Sequence, residues 1–396
     1  MRGGGLVVAA CAAGLLLSGL PAAQAALPAD LAGLPGPVPG CPAQRGTAAP
    51  AGVPWPQKEL GFASVWGRTK GAGVTVAVVD SGVDANPQFG NRVISGPDLV
   101  AGKKPGIPVG ADCVGHGTAV ASIIAAAPVN GVSFTGVAPA ARILSVKISG
   151  TDTFPTSATP QGIMDAVQFG ADVINLSLAT PDDVPALRHA VEYALKHDVV
   201  VVAAAGNDLP QQGTGPYYPA SYPGVLAVGA AGPGGVLAPF SDQHTPVAVT
   251  APGVNVTTAY PGTFPDAYDP DESGTSFAAA YVSGVVALVR AAHPGLNPAQ
   301  VVARIEATAR GSTGPGTGHG LVDPVRAVAA VLPGEGRTNS AGRTNQAASG
   351  HSPSAVTRAV IAGSFGLMVV VVVTAGLAIS RRHRRGGPGP SGRHAA

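Results

Sequence analysis

Five short, almost continuously apolar runs constrain this chain more than any other feature. They are "GVTVAVVD" (73–80), "RILSVKI" (142–148), "DVINLSL" (172–178), "VVVVAAAG" (199–206) and "GVLAVGA" (224–230). Runs of this length without alternation imply strands covered on both faces. The stretches 117–126, 161–170 and 183–197 between them read as helices. Such an order predicts an α/β domain whose mostly parallel sheet lies between two helical layers. Further helices are expected at 276–292 and 298–309, the second opened by Asn297 as cap with Pro298 in its first turn, and a short one begins near Pro324. One domain over 56–331 accounts for all of these elements, and no internal repeat is visible.

Both flanks of that domain carry membrane signals. Arg2 precedes an apolar run from Leu6 to Leu20, followed by "PAAQA", which is the layout of a secretory signal peptide over 1–25 with cleavage expected after Ala25. A lipoprotein site at Cys11 is rejected, because too little apolar sequence precedes it and the run continues beyond it. Ala359 to Ile379 is uncharged and, at about 31 Å as a helix, long enough to span a bilayer. "RRHRR" follows directly, so the tail 380–396 is expected in the cytoplasm and the body outside a cell membrane that the chain crosses once. Residues 26–55 read as a Pro-rich extended arm, and 332–358 as a flexible linker of ~30 Å end-to-end reach.

Charge narrows the partners. Six of the 24 basic residues lie at the extreme ends, Arg2 and five in the last sixteen positions, leaving 18 against 22 acidic residues. With no basic stripe and no interleaved aromatics, nucleic acid is not an expected partner. No acidic loop has calcium-ligand spacing, and no metal or cofactor is expected. After signal removal Cys41 and Cys113 remain, an even pair in an oxidising compartment. An intramolecular disulfide is the expectation; two free thiols or an intermolecular bridge are the alternatives that composition leaves open.

The candidate chemistry sits where α/β folds place it, at strand ends and helix starts. Asp80 closes the first run in "VAVVDSGVD", His116 opens a helix in "DCVGHGTAVAS", and Asn207 follows the fourth run in "AAAGND". Ser276 stands in "ESGTSFAAAYVSG" at the start of the helix expected at 276–292. Taken singly, each has a structural explanation: serine is favoured at helix starts as a cap, and Asn207 suits a turn. Together they supply a nucleophile, a base, an orienting carboxylate and an amide donor for an oxyanion, the set that acyl transfer needs. The Ser276 N–H at a helix start is a second oxyanion donor. Ser273 and Ser283 are nearby serines with no such partners, Ser273 preceding a turn and Ser283 lying two helical turns inside.

The ordered motifs "VVDSGVD", "GHGTAVAS", "AAGN" and "SGTSFAAAYVSG" resemble those of the subtilisin-like serine proteases over about 270 residues, in the same Asp…His…Ser order. The resemblance implies a subtilisin-like three-layer fold, peptide or protein substrates, Asp80, His116 and Ser276 as triad, and Asn207 as oxyanion donor. It also implies that Ser177, Leu178 and Ala179 pair with the substrate backbone as an added strand. Two departures are Ala179, where many members have Gly, and Ala280, where a proline is usual. The signal peptide, the Cys-bearing arm, "DCVGHGT" and the C-terminal span are similar to those of mycosins, membrane-anchored subtilases of type VII secretion systems. That narrower resemblance implies cleavage of secreted proteins beside a type VII membrane complex. It further implies an arm that wraps the domain and is tied by Cys41–Cys113.

Overall fold

The computed structural model describes residues 40–333 except 42–45, 101–106, 152, 209–214 and 263–266. The expected signal peptide, membrane span and basic tail, and all but the first two residues of the expected linker, lie outside the described residues. Seven parallel strands form the main sheet: β1 (Thr75–Asp80), β2 (Val93–Asp98), β3 (Arg142–Lys147), β4 (Val173–Leu176), β5 (Val200–Ala204), β6 (Leu226–Ala231) and β7 (Val249–Pro252). Their order is β2-β3-β1-β4-β5-β6-β7. An antiparallel pair, β8 (Val256–Ala259) and β9 (Tyr268–Glu272), stands apart from it.

The pleat explains the layering. Val76 and Val78 of β1 enter one buried cluster, while Ala77 and Val79 enter the other, on the opposite face. Helices α2 (His116–Ala125) and α5 (Thr275–Ala292) cover the first face, and α3 (Thr159–Gln168) and α4 (Pro185–Lys196) the second. A fully buried Val, Leu or Ile contributes about 1.5–3 kcal/mol, so these two clusters dominate the stability of the domain. The five inner strands β1, β3, β4, β5 and β6 coincide with the five apolar runs, within one or two residues at each end.

Four strands escaped the sequence pattern. In β2, "VISGPD", no residue is fully buried, because the strand lies on the edge of the sheet. β7 is a four-residue edge strand, and β8–β9 is a short pair outside the sheet. The expected arm boundary also shifts. A helix, α1 (Trp55–Leu60), begins inside it, and the arm is pinned earlier still. Thr47 exchanges both backbone hydrogen bonds with Tyr268 of β9, at 2.7 and 3.1 Å, and its hydroxyl donates to the same carbonyl at 2.9 Å.

Helix α5 is the one described helix long and apolar enough to cross a membrane, yet 83% of it is buried inside the domain. Its small residues allow that burial. A Cβ on Gly284 would stand 2.6 Å from the Val137 Cβ, so only glycine lets α5 pass the turn after α2. Helices α6 (Pro298–Thr308) and α7 (Pro324–Ala329) complete the first face, and α6 is held by a full Asn297–Gln300 capping box as its sequence predicts.

Candidate active site

Strand β1 has neighbours on both sides that follow it by crossovers in opposite directions, β3 on one side and β4 on the other. Chains that diverge in this way leave a crevice at the C-terminal end of the strand. Asp80 lies there, fully buried, and accepts a hydrogen bond from the Ser81 N–H at 2.7 Å. His116 meets it with Nδ1, 2.8 Å from Oδ1 and 3.0 Å from Oδ2. A carboxylate only accepts, so Nδ1 carries the proton and Nε2 is left as the free base. This contact depends on Gly117: a Cβ there would fall 2.0 Å from the Gly82 carbonyl oxygen and 3.2 Å from the Asp80 Cβ.

The imidazole lies between the rings of Phe154 and Phe277, at 5.7 and 5.6 Å between centroids, with 23% of its side chain exposed. Burial by itself disfavours the imidazolium. The charge and hydrogen bond of Asp80, then the charges of Asp112 and Glu272, outweigh that cost and raise the His116 pKa above its ordinary value.

Ser276 is the residue directly before Phe277, at the second position of α5. Its hydroxyl donates to the Ser177 carbonyl at 3.1 Å, and the Ser177 hydroxyl donates back to the Ser276 carbonyl at 2.8 Å. The nucleophile candidate therefore forms a reciprocal pair with the segment after β4 rather than a hydrogen bond to His116. Catalytic hydrogen bonds often tighten only once substrate is bound. Behind this pair, Asn175 donates from Nδ2 to the Ser177 hydroxyl at 2.8 Å and accepts from the Ser283 hydroxyl at 2.9 Å. Ser283 is thus an internal strut of α5, consistent with its reading as a bystander to the chemistry.

The cap expected of Ser276 is supplied by another residue. No side chain at the helix start caps α5; Asn207 Oδ1 accepts from the Thr275 N–H at 3.1 Å and the Thr275 hydroxyl at 3.0 Å. The reason is spatial: Asn207 follows β5, which packs beneath the start of α5 and brings an acceptor to the orphan N–H groups. With its oxygen engaged, the Asn207 amide presents its NH2 group as the remaining donor. The Ser276 N–H has no acceptor within the helix, so two donors remain for a developing oxyanion.

Ser177 and Leu178 are buried and Ala179 is exposed. Leu178 and Ala179 border a cavity of about 460 Å³ that is also lined by Phe154, Leu187 and Tyr217. Ser273 lies between β9 and α5, and its hydroxyl accepts from the Asn255 N–H at 2.9 Å. Cys41 and Cys113 form a disulfide, which closes a separation of 72 residues and is worth ~4 kcal/mol in the chain-entropy picture. Cys113 and Gly40 also border a second cavity of about 640 Å³, and Phe154 lines both cavities. Beside Asn207 in the chain, Asp208 comes together with Asp242 and His244, each bringing a ligand-type atom within 4.8 Å of the others. Burial and the neighbouring Asp242 carboxylate push the Asp208 pKa up.

Thr275, Asn175 and Asp112 went unnoticed in the sequence. Asp112, four residues before His116, could have been found from its place in "ADCVGHGT", because an acid just before a Gly-rich helix start is a natural acceptor for free N–H groups.

Residues 71–374 match the model of the subtilase family, peptidase S8. Mycosin-1 of Mycobacterium tuberculosis is 36% identical over 334 residues, 71% of this chain and 74% of that protein. The crystal structure of MycP1 from Mycobacterium smegmatis superposes with a TM-score of 0.65 at 30% identity, covering 81% of this chain and 98% of the other. A chain in the periplasmic assembly of the ESX-5 inner membrane complex superposes with a TM-score of 0.64 at 29% identity, covering 79% and 93%.

Proposed function

The chain belongs to the subtilase family of serine endopeptidases, and from that premise we propose that it is a membrane-anchored, extracytoplasmic protease of type VII secretion that cleaves secreted proteins. In this reading Ser276 attacks the peptide carbonyl, and His116 Nε2 takes its proton and returns it to the leaving amine. Asp80 holds the imidazole in the required tautomer, and the Asn207 amide and the Ser276 N–H stabilise the oxyanion. Substrate pairs with Ser177, Leu178 and Ala179 as an added strand, and its arrival frees the Ser276 hydroxyl from the Ser177 carbonyl. The observation that carries the reading is the Asp80–His116 contact, with Nδ1 fixed as donor, beside a serine whose helix start is held by Asn207.

The anchor is the span 359–379, followed by the basic tail inside the cell; the signal peptide 1–25 delivers the body outside. A labelled fluorophosphonate should react with the wild type and not with Ser276→Ala. Equal labelling of both would defeat the assignment.

A second reading has its own support. The similar chain in the ESX-5 assembly is part of a complex, so this chain could serve as a structural component with proteolysis secondary. Restoration of secretion by Ser276→Ala in a deletion strain would favour that role, whereas failure of the variant to restore it would favour proteolysis.

A further inference from the structure

Close to the Asp80–His116 pair lies a second carboxylate that the reaction itself does not use. Asp112 is 1% exposed, yet both its oxygens are fully occupied. Oδ1 accepts from the Ser81 hydroxyl at 2.8 Å, the Gly115 N–H at 2.8 Å and the Val114 N–H at 3.2 Å. Oδ2 accepts from the Thr118 N–H at 2.8 Å and the Thr118 hydroxyl at 2.7 Å. A single side chain therefore gathers the loop 112–115 and the first turn of α2.

The link to Asp80 runs through Ser81. While its hydroxyl donates to Asp112, it accepts from the Gly117 N–H at 2.9 Å. The backbone on each side of His116 is thus fastened, Gly115 to Asp112 and Gly117 to Ser81. Ser81 is in turn the residue next to Asp80, to which its own N–H donates. Lys147 secures the rear. It is the register partner of Asp80 in the β1–β3 ladder, and its ammonium donates to the carbonyls of Ser81 and of Ala111, the latter at 2.8 Å. One buried cation thereby ties together the two segments that carry Asp80 and Asp112.

We propose that Asp112 is a positioning residue for the His116 base, acting through the Ser81 hydroxyl and the first turn of α2 to hold the imidazole on Asp80. This rests on the reading of His116 as general base. Asp112 touches neither substrate nor the reacting atoms. Its effect has two parts, one geometric and one electrostatic. Loss of the loop staple lets the imidazole move, and a misplacement of about 1 Å can cost about 100-fold in rate. Loss of the charge removes part of what favours the imidazolium. The charged groups around His116 are Asp80 on β1, Asp112 in the loop and Glu272 on β9, with Lys147 on β3 and Asp84 in the loop after β1 one step behind them. A residue that merely stabilised the fold would alter the amount of active enzyme but not the pH at which each active site titrates.

The test uses the full chain in membranes or mild detergent, with active sites counted by fluorophosphonate burst. That count, with Ser276→Ala as blank, checks the protease reading independently. Asp112→Asn keeps the shape and one acceptor oxygen but removes the charge. Per active site, kcat should fall about 10- to 100-fold with KM changed by less than about threefold, and the acid limb of kcat/KM should move to lower pH. A kcat per site and an acid limb equal to those of the wild type would overturn the proposal. If Asp112→Asn yields no countable sites, Ser81→Ala decides. It should lose about tenfold in kcat with the acid limb unmoved, because Asp112 keeps its charge. An unchanged kcat in that variant would overturn the proposal equally.

Discussion

The two sides of the crevice are built from different materials. Around His116 the supporting groups are ionised and buried: Asp80, Asp112 and Lys147, all under 7% exposed. Around Ser276 they are neutral: Ser177, Asn175, Ser283 and Thr275 form hydroxyl and amide hydrogen bonds of 2.8–3.1 Å. The contrast follows from the charge that each side must accommodate. In the proposed acyl transfer the imidazole becomes a cation, so fixed negative charge beside it lowers the barrier. The carbonyl oxygen becomes an anion, so a carboxylate facing it would raise the barrier, and neutral donors are what can be placed there. The Ser276 side also needs a hydroxyl that can turn away from Ser177 towards the base. A weak neutral hydrogen bond permits that rotation where a charged one would resist it.

This division can be broken from either side. The largest effect is expected at the charged side. Asp80→Asn keeps the shape but lets the wrong imidazole tautomer form, and kcat should fall on the order of 10⁴-fold, measured as initial rates on a peptide substrate. A fall of only a few-fold would mean that Asp80 is no more than a structural acceptor for the Ser81 N–H.

Next comes the neutral side. Asn207→Leu removes both the proposed oxyanion donor and the acceptor that caps Thr275. It should lower kcat about 100- to 1000-fold with little change in KM. A loss seen mainly in KM would place Asn207 in ground-state binding instead.

The smallest effect sharpens the comparison through pH. If His116 is the base, as proposed, only its neutral form accepts a proton, so its raised pKa moves the acid limb of kcat/KM above the ordinary histidine value of about 6.5. Glu272→Gln removes the weakest of the three carboxylate influences and should shift that limb to lower pH, by less than Asp112→Asn does. A shift to higher pH, or none, would show that Glu272 does not sense the imidazole. Glu272 itself is raised, first by burial, against which the Tyr260 hydroxyl donates, and by the charge of Asp269. Its contribution therefore fades as the pH falls through its own titration.

Legibility in the sequence followed burial. The inner strands could be read because a strand covered on both faces must be apolar at every position, as in "TVAVVD" of β1. The edge strand β2 carries Ser95, Gly96 and Pro97 and was invisible for the same reason reversed: little of it is covered. At the site, Asp80, His116, Asn207 and Ser276 stood out because each lies in a short Gly-containing motif at an element boundary. Lys147 also left a trace, a buried cation inside the apolar run "RILSVKI", but nothing nearby in the chain says what it binds.

The sequence by itself determined the five inner strands of the sheet, the helices that cover it and the four residues on which the chemistry is proposed to rest. Periodicity and glycine placement are local properties, written within a few residues of where they act. The tertiary structure alone decided which groups support those four. Asn207 caps a helix start 68 residues away, Ser177 pairs with Ser276 across 99, and Lys147 reaches the Ser81 carbonyl across 66. A single hydroxyl, amide or ammonium has no period and no neighbours that announce it. Its role exists only once parallel crossovers have brought the strand ends together, because a hydrogen bond is decided by the last ångström of separation.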